Sequence, residues 1–186
     1  MALTINHETN DISATSGSVT LDGSAVGGGG SLNHISTQTV TSSTASVTFS
    51  SVSGYDYYKI FFSGDLTAGG GSLKMRFLDG GTEISSGYRT GIHRTGGGVL
   101  SGSASELHIT DVSSRGQISA EISIGANTSY PRMLALHYSE ESGNQSFGRS
   151  GGIPSASVTN LNGFKIFPTS GTISSAKISL YGVSQS

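Results

Sequence analysis

In Thr172-Ile-Ser-Ser-Ala-Lys-Ile-Ser-Leu-Tyr-Gly-Val-Ser-Gln185, Ala176, Ile178 and Leu180 alternate with Ser175, Lys177 and Ser179. One face of such a segment is apolar and the other polar, which is the pattern of a half-buried antiparallel strand. The same period of two recurs in Leu73, Met75 and Phe77 against Lys74 and Arg76, and in Ile118, Ala120, Ile122 and Ile124 against Ser119, Glu121 and Ser123. Strands are predicted over Ile35–Thr41, Ser46–Phe49, Tyr57–Phe62, Leu73–Phe77, Ser105–Thr110, Gln117–Ile124, Arg132–Tyr138, Phe164–Phe167 and Ala176–Tyr181. Turn-formers separate them, at Gly69-Gly70-Gly71, Asp79-Gly80-Gly81, Gly96-Gly97-Gly98, Gly143-Asn144 and Gly151-Gly152. No stretch carries a 3.6-residue period, so the expectation is an all-β chain, an antiparallel β-sandwich or jelly-roll-like domain. Tyr57, Tyr58, Ile60, Phe61 and Phe62 break the alternation. That predicts a strand buried on both faces, at the centre of the sandwich or under a subunit neighbour.

Residues 1–30 read differently. Ile12, Val19, Leu21 and Val26 are scattered among Ser, Thr, Asn and Asp, and the segment ends in Gly27-Gly28-Gly29-Gly30. An extended N-terminal arm with a glycine hinge is expected there, followed by one β domain over 31–186. Within the arm, Ser18-Val-Thr-Leu-Asp-Gly23 has strand alternation followed by an Asp-Gly turn signal, so the arm is expected to order against a neighbour.

A chain of 186 residues suits one sizeable β domain with an arm. Apolar residues are 34% and charged residues only 12%, while 28 positions are glycine, so the polarity rests on Ser, Thr and Gly. Hydroxyl-rich strands with glycine turns are the composition of extracellular and virion β proteins. The formal charge of −2, with no block of like charges, argues against a nucleic-acid binder. There is no cysteine, so neither a disulfide nor a thiolate metal site can form. Neither a secretory leader nor an apolar run near the length of a membrane span is read, Met133-Leu134-Ala135-Leu136 being the longest compact apolar stretch. The expectation is synthesis in a cytoplasm without an export signal, and no membrane partner.

Signals for chemistry are sparse. None of the glycine runs is followed by Lys-Ser or Lys-Thr or opens a helix, so they are expected to be loops and not phosphate cradles. His7, His34, His93, His108 and His137 show no metal-ligand spacing, so no metal is expected. A glycosidase needs two carboxylates facing each other across a cleft, and Glu140-Glu141 reads instead as a solvated turn within Ser139–Phe147. Gly148-Arg-Ser-Gly-Gly152 falls short of a nucleophile elbow. Tyr55, Tyr57, Tyr58, Tyr88, Tyr130, Tyr138 and Tyr181 could build a sugar-stacking platform, but packing or subunit contact is the preferred reading because no tryptophan accompanies them. Asn127-Thr-Ser and Asn144-Gln-Ser match the glycosylation pattern, a coincidence where no export signal is read.

Three stretches carry a resemblance. The opening Met1-Ala-Leu-Thr-Ile-Asn-His-Glu-Thr-Asn-Asp-Ile-Ser-Ala-Thr-Ser-Gly-Ser-Val-Thr-Leu-Asp-Gly23 resembles the amino-terminal lead of tail-fibre and decoration proteins in phages of aquatic bacteria, including cyanobacteria. Ile35-Ser-Thr-Gln-Thr-Val40 and Gly54-Tyr-Asp-Tyr-Tyr-Lys-Ile-Phe-Phe62 are similar to their scheme of a Thr-rich strand followed by an aromatic one. Gly163-Phe-Lys-Ile-Phe167, leading through Ser170-Gly-Thr-Ile to Leu180-Tyr-Gly182, resembles their closing strand pair. The resemblance implies a non-enzymatic structural protein on the surface of a tailed-phage virion, made in the host cytoplasm, with no catalytic residue and no cofactor. A capsid decoration or cement protein is the expectation, and a tail fibre or appendage that binds the host receptor or a surface glycan is the alternative. Implied partners are the major capsid protein or a tail protein, and further copies of the chain in a trimer. Assembly contacts are expected at Ile12, Val19, Leu21, Tyr57, Tyr58, Phe62 and Tyr181.

Overall fold

The computed structural model describes residues 32–67, 71–94, 97–110, 117–126, 129–141 and 144–183, together with the strands of two hairpins before them. Those hairpins pair β1 (Leu3–Asn6) with β2 (Asp11–Ala14), and β3 (Thr20–Leu21) with β4 (Ser24–Ala25). In the second, Leu21 stands opposite Ser24, the pairing expected around an Asp-Gly step. The glycines of the expected hinge, 27–30, lie outside the described residues.

The strands that follow are β5 (Asn33–Val40), β6 (Val47–Ser50), β7 (Tyr57–Leu66), β8 (Leu73–Asp79), β9 (Thr82–Glu83) and β10 (Tyr88–Arg94). After them come β11 (Gly97–Ala104), β12 (Leu107–His108), β13 (Gln117–Gly125), β14 (Arg132–Glu141), β15 (Asn144–Pro154), β16 (Leu161–Pro168) and β17 (Ile173–Val183). No helix occurs among the described residues. Eight strands in the order β11-β10-β15-β14-β13-β7-β17-β5 make one antiparallel sheet, and β12-β8-β16-β6, with β9 beside β8, make the second. The chain passes repeatedly from one sheet to the other, on both sides of β6, β12 and β16 and at β7 to β8 and β9 to β10.

Alternation decides which side chains lie between the sheets. Tyr58, Ile60, Phe62 and Leu66 of β7, Ile118, Ile122 and Ile124 of β13, and Ile178 and Leu180 of β17 are buried. So are Leu73, Met75 and Phe77 of β8, Phe164 and Ile166 of β16, and Val47 and Phe49 of β6. A buried side chain of this size contributes about 1.5–3 kcal/mol relative to exposure. Across the interlayer the Tyr58 and Phe164 rings meet edge-on with centroids 5.3 Å apart, Phe164 meets Phe77 at 6.1 Å, and Phe77 meets Tyr88 at 6.1 Å.

Several expectations are corrected. Within the chain the β7 segment is paired on both sides but buried on one face only, so a second buried face inside the sandwich is ruled out, and only a subunit neighbour could cover Tyr57 and Phe61. Tyr57 and Phe61 each keep 38% of their surface exposed. Gly97 and Gly98 open a strand, and Gly151 and Gly152 lie inside one. Most of the expected Ser139–Phe147 loop is strand, because Glu141 pairs with Asn144 and Glu140 with Gln145. The predicted strand over Ser105–Thr110 is only the two residues of β12. By contrast, Asp79-Gly80-Gly81 does turn the chain: Gly80 and Gly81 have φ of 57° and 86°, and Asp79 pairs with Thr82 across a two-residue hairpin.

Glycine inside β15 has a steric reason. A Cβ on Gly152 would lie 2.4 Å from the Arg89 carbonyl oxygen and 2.5 Å from Leu107 Cδ2, so the bare backbone is what lets β12 close over β15.

Tyr88 fastens the point where the chain crosses from β9 to β10. Its hydroxyl donates to the Ile84 carbonyl at 3.0 Å and accepts from the Phe77 N–H at 3.0 Å. Burial pushes the phenol up to about 12. The folded value lies above the unfolded value of about 10, so its contribution is complete below pH 10 and is lost as pH rises through 12. Tyr88→Phe is expected to lower stability by about 1–3 kcal/mol by stripping two buried backbone groups of a partner. Urea unfolding at pH 7 measures that loss, and tyrosinate absorbance is expected to show one phenol in the wild type that ionises only as the fold opens.

Candidate functional site

The outer face of the eight-stranded sheet is where large apolar side chains meet solvent. Cross-strand register sets Leu136 opposite Glu121, Glu121 opposite Phe61, and Phe61 opposite Ser179. In the next row Phe147 pairs with Tyr138, Tyr138 with Ser119, Ser119 with Ser63, and Ser63 with Lys177. The serines are short and the flanking side chains long, so an open groove of about 680 Å³ runs over Ser63 and Ser119. Its apolar walls are Phe61, Leu136, Tyr138 and Phe147. Exposure is 54% for Leu136 and 61% for Phe147, and Leu134 beside them is 53% exposed. On one flank the Phe61 ring lies 5.6 Å from that of Tyr181, which lies 5.2 Å from His34. On the other, the Tyr138 and Phe147 rings are 4.9 Å apart. Lys59 donates to Glu121 beside Phe61, and the two charges neutralise each other there.

Of the residues expected to make assembly contacts, Tyr57 and Tyr181 lie on this face. Tyr58 and Phe62 do not; each is 2% exposed and belongs to the core of its own chain. Val19 and the side chains of Ile12 and Leu21 lie outside the described residues. The expected assembly residues leave out Phe61, although it belongs to the aromatic run read as lying under a neighbour, as well as Leu136 and Phe147. A signal for two leucines was present: in a sheet with one buried face, the run Met133-Leu134-Ala135-Leu136 must turn half its members outward, and Leu134 and Leu136 are that half.

The outer face of the smaller sheet carries charge instead. Arg76 Nη1 donates to Glu83 Oε1 at 2.5 Å and Nη2 to Glu106 Oε2 at 3.1 Å, while Lys165 Nζ donates to Glu83 Oε2 at 2.7 Å. Lys74, only 5% exposed, lies 3.9 Å from Glu106 Oε1 and 2.6 Å from His108 Nε2. The Arg76 guanidinium sits 5.0 Å from the Phe167 ring centre. The hydrogen bond from Lys165, with Arg76 adding to it, outweighs burial and holds the Glu83 carboxyl below its ordinary value. Burial works against ionisation of Glu106 too, but the Ser105 hydroxyl and Arg76 hold it low. Carboxylates kept ionised in this way are poor proton donors. Among the described residues no group of three or more His, Asp or Glu is disposed to hold a metal ion.

Both folded values lie below the unfolded one, so the network's contribution is present above about pH 4.3 and is lost as pH falls through the lowered values. Glu83→Gln is expected to cost about 1–2 kcal/mol at pH 7, allowing for partial solvent screening. It should also flatten the fall in melting temperature between neutral and acid pH, as read by calorimetry across that range.

Comparison with known proteins returns no matching family model, no matching curated protein and no matching solved structure.

Proposed function

We propose that this chain is a non-enzymatic structural protein of a tailed-phage virion, carried on the particle surface as a capsid decoration or cement protein. It is made in the host cytoplasm, binds the major capsid protein through residues 1–30 and the outer face of the eight-stranded sheet, and assembles as symmetric copies, a trimer among them. The observation that carries the reading is the cluster of Phe61, Leu136 and Phe147 over two adjacent register rows, all exposed on one sheet face. Large apolar side chains gathered on one exposed face mark a surface that another macromolecule covers. Support also comes from the clamped state of Glu83 and Glu106 and from the sequence resemblance. A tail appendage that binds a host receptor or glycan is the second reading, favoured by serine hydroxyls lying between aromatic walls in the same groove.

Particles purified from infected cells, with the chain supplied as wild type, as Leu136→Ser/Phe147→Ser, or starting at Ser31, test both readings. Capsid decoration is expected to give a copy number that scales with the capsid protein. Incorporation should fall at least about tenfold in the double variant, should be lost in the truncated chain, and should leave the β-sheet circular dichroism of each unchanged. A copy number matching tail proteins favours the second reading, and normal incorporation of the double variant overturns the role given to this face.

A further inference from the structure

The β10, β15 and β14 end of the same sheet face is basic and floored with glycine. Gly91 stands opposite Gly151, and Gly151 opposite Leu134. Two residues along the strands on one side, His93 faces Arg149; on the other, Arg89 faces Ile153, with Arg132 two residues before Leu134 on β14. The rows enclose a trough of about 560 Å³ lined by Gly91, Gly151, Leu134, His93 and Arg149. Arg89, Arg132 and Arg149 are exposed, and none makes an ion pair or side-chain hydrogen bond with another described residue. The described carboxylates of this face lie elsewhere, with Glu121 tied to Lys59, Asp65 bonded to Ser175, and Glu140 toward the far end of β14.

This departs from the rest of the molecule, where Arg76 alone engages two carboxylates. In a chain of net charge −2, Arg149 lines the depression and Arg89 and Arg132 stand one register row beyond it on the same face, all three without described counter-charges. A guanidinium presents a rigid fork of N–H donors matched to planar or tetrahedral oxyanions. The floor offers a complementary feature. A Cβ on Gly151 would lie 3.1 Å from the Met133 carbonyl oxygen and 3.9 Å from Leu134 Cδ1, so glycine keeps the bed flat and apolar beside Leu134. A saccharide ring has a flat C–H face and a polar rim, which match that bed and its guanidinium border. A single-stranded nucleic acid would look for a platform of several aromatic rings, and no Phe, Tyr or Trp lines this trough, where the His93 imidazole stands alone. An added peptide strand needs free backbone groups, and those of β10, β15 and β14 are engaged in ladders on both sides.

We propose that this trough binds an anionic polysaccharide, with its carboxylate or sulfate groups on Arg89, Arg132 and Arg149 and its ring faces over Gly91 and Gly151. The proposal deepens the glycan-binding alternative, and it is read in solution, separately from incorporation into particles. Calorimetric titration of the full chain with alginate, heparin, neutral dextran and oligothymidylate is the test. Saturable binding of alginate or heparin that weakens with added salt is expected, with none to dextran; alginate alone assigns carboxylate and heparin alone assigns sulfate. Arg89→Gln and Arg149→Gln are each expected to weaken binding about tenfold with unchanged melting temperature, while Lys177→Gln in the neighbouring groove leaves it unchanged. Absence of binding to both acidic polymers, equal affinity for oligothymidylate, equal affinity for dextran, or an unchanged affinity in Arg89→Gln/Arg149→Gln overturns the proposal.

Discussion

A chain of edge-on aromatic contacts, Tyr58 to Phe164 to Phe77 to Tyr88, holds the two sheets in one relation. It leaves the large sheet at β7, runs across two strands of the smaller one, and returns to the large sheet at β10. Each ring supplies area burial, and the edge-to-face geometry adds about 0.5–1.5 kcal/mol per pair. The last member ends in a hydroxyl that satisfies two backbone groups of the opposite layer, so the register of β8 against β10 is tied to the same chain. With no disulfide available, this packing and the ladders around it do the work of cross-links.

The two outer faces divide the labour. On the smaller sheet Arg76, Lys165, Glu83 and Glu106 satisfy one another, and Phe167 lies under two cations, so that surface is internally complete. The larger sheet turns Phe61, Leu136 and Phe147 toward solvent, with Arg149 directly opposite Leu136 and Arg89 and Arg132 two register rows further along. A molecule that satisfies its charges on one side and leaves both apolar and cationic groups open on the other has a preferred side for contact.

How far the sequence disclosed this depended on which residues mark a strand. Where apolar residues alternate with Ser, Lys or Glu, as in β13 and β17, period and burial agreed with the fold, while in β8 the apolar row was right but Lys74 and Leu78 on the other face are buried too. Strands β10, β11 and β15 escaped because glycine ordinarily punctuates strands. At Gly148 and Gly152 it instead makes room for neighbours, the His137 ring over one and Leu107 over the other, which is a tertiary demand invisible in the local pattern. The aromatic run in β7 misled in the opposite direction. Tyr57 and Phe61 suggested two buried faces, yet they are surface residues of the candidate groove and its face. That unexplained apolarity was itself the trace of the site, although composition alone could not say which face it served.

Strand β17 lies between β7 and β5, paired to both along most of its length. A ribosome releases it after every other described strand, so until then β7 presents an open ladder edge and β5 has no partner in its sheet. The β5 side of the large sheet therefore closes only once β17 has been made, and a nascent chain halted before Ile173 carries two unpaired strand edges that invite association with other incomplete chains.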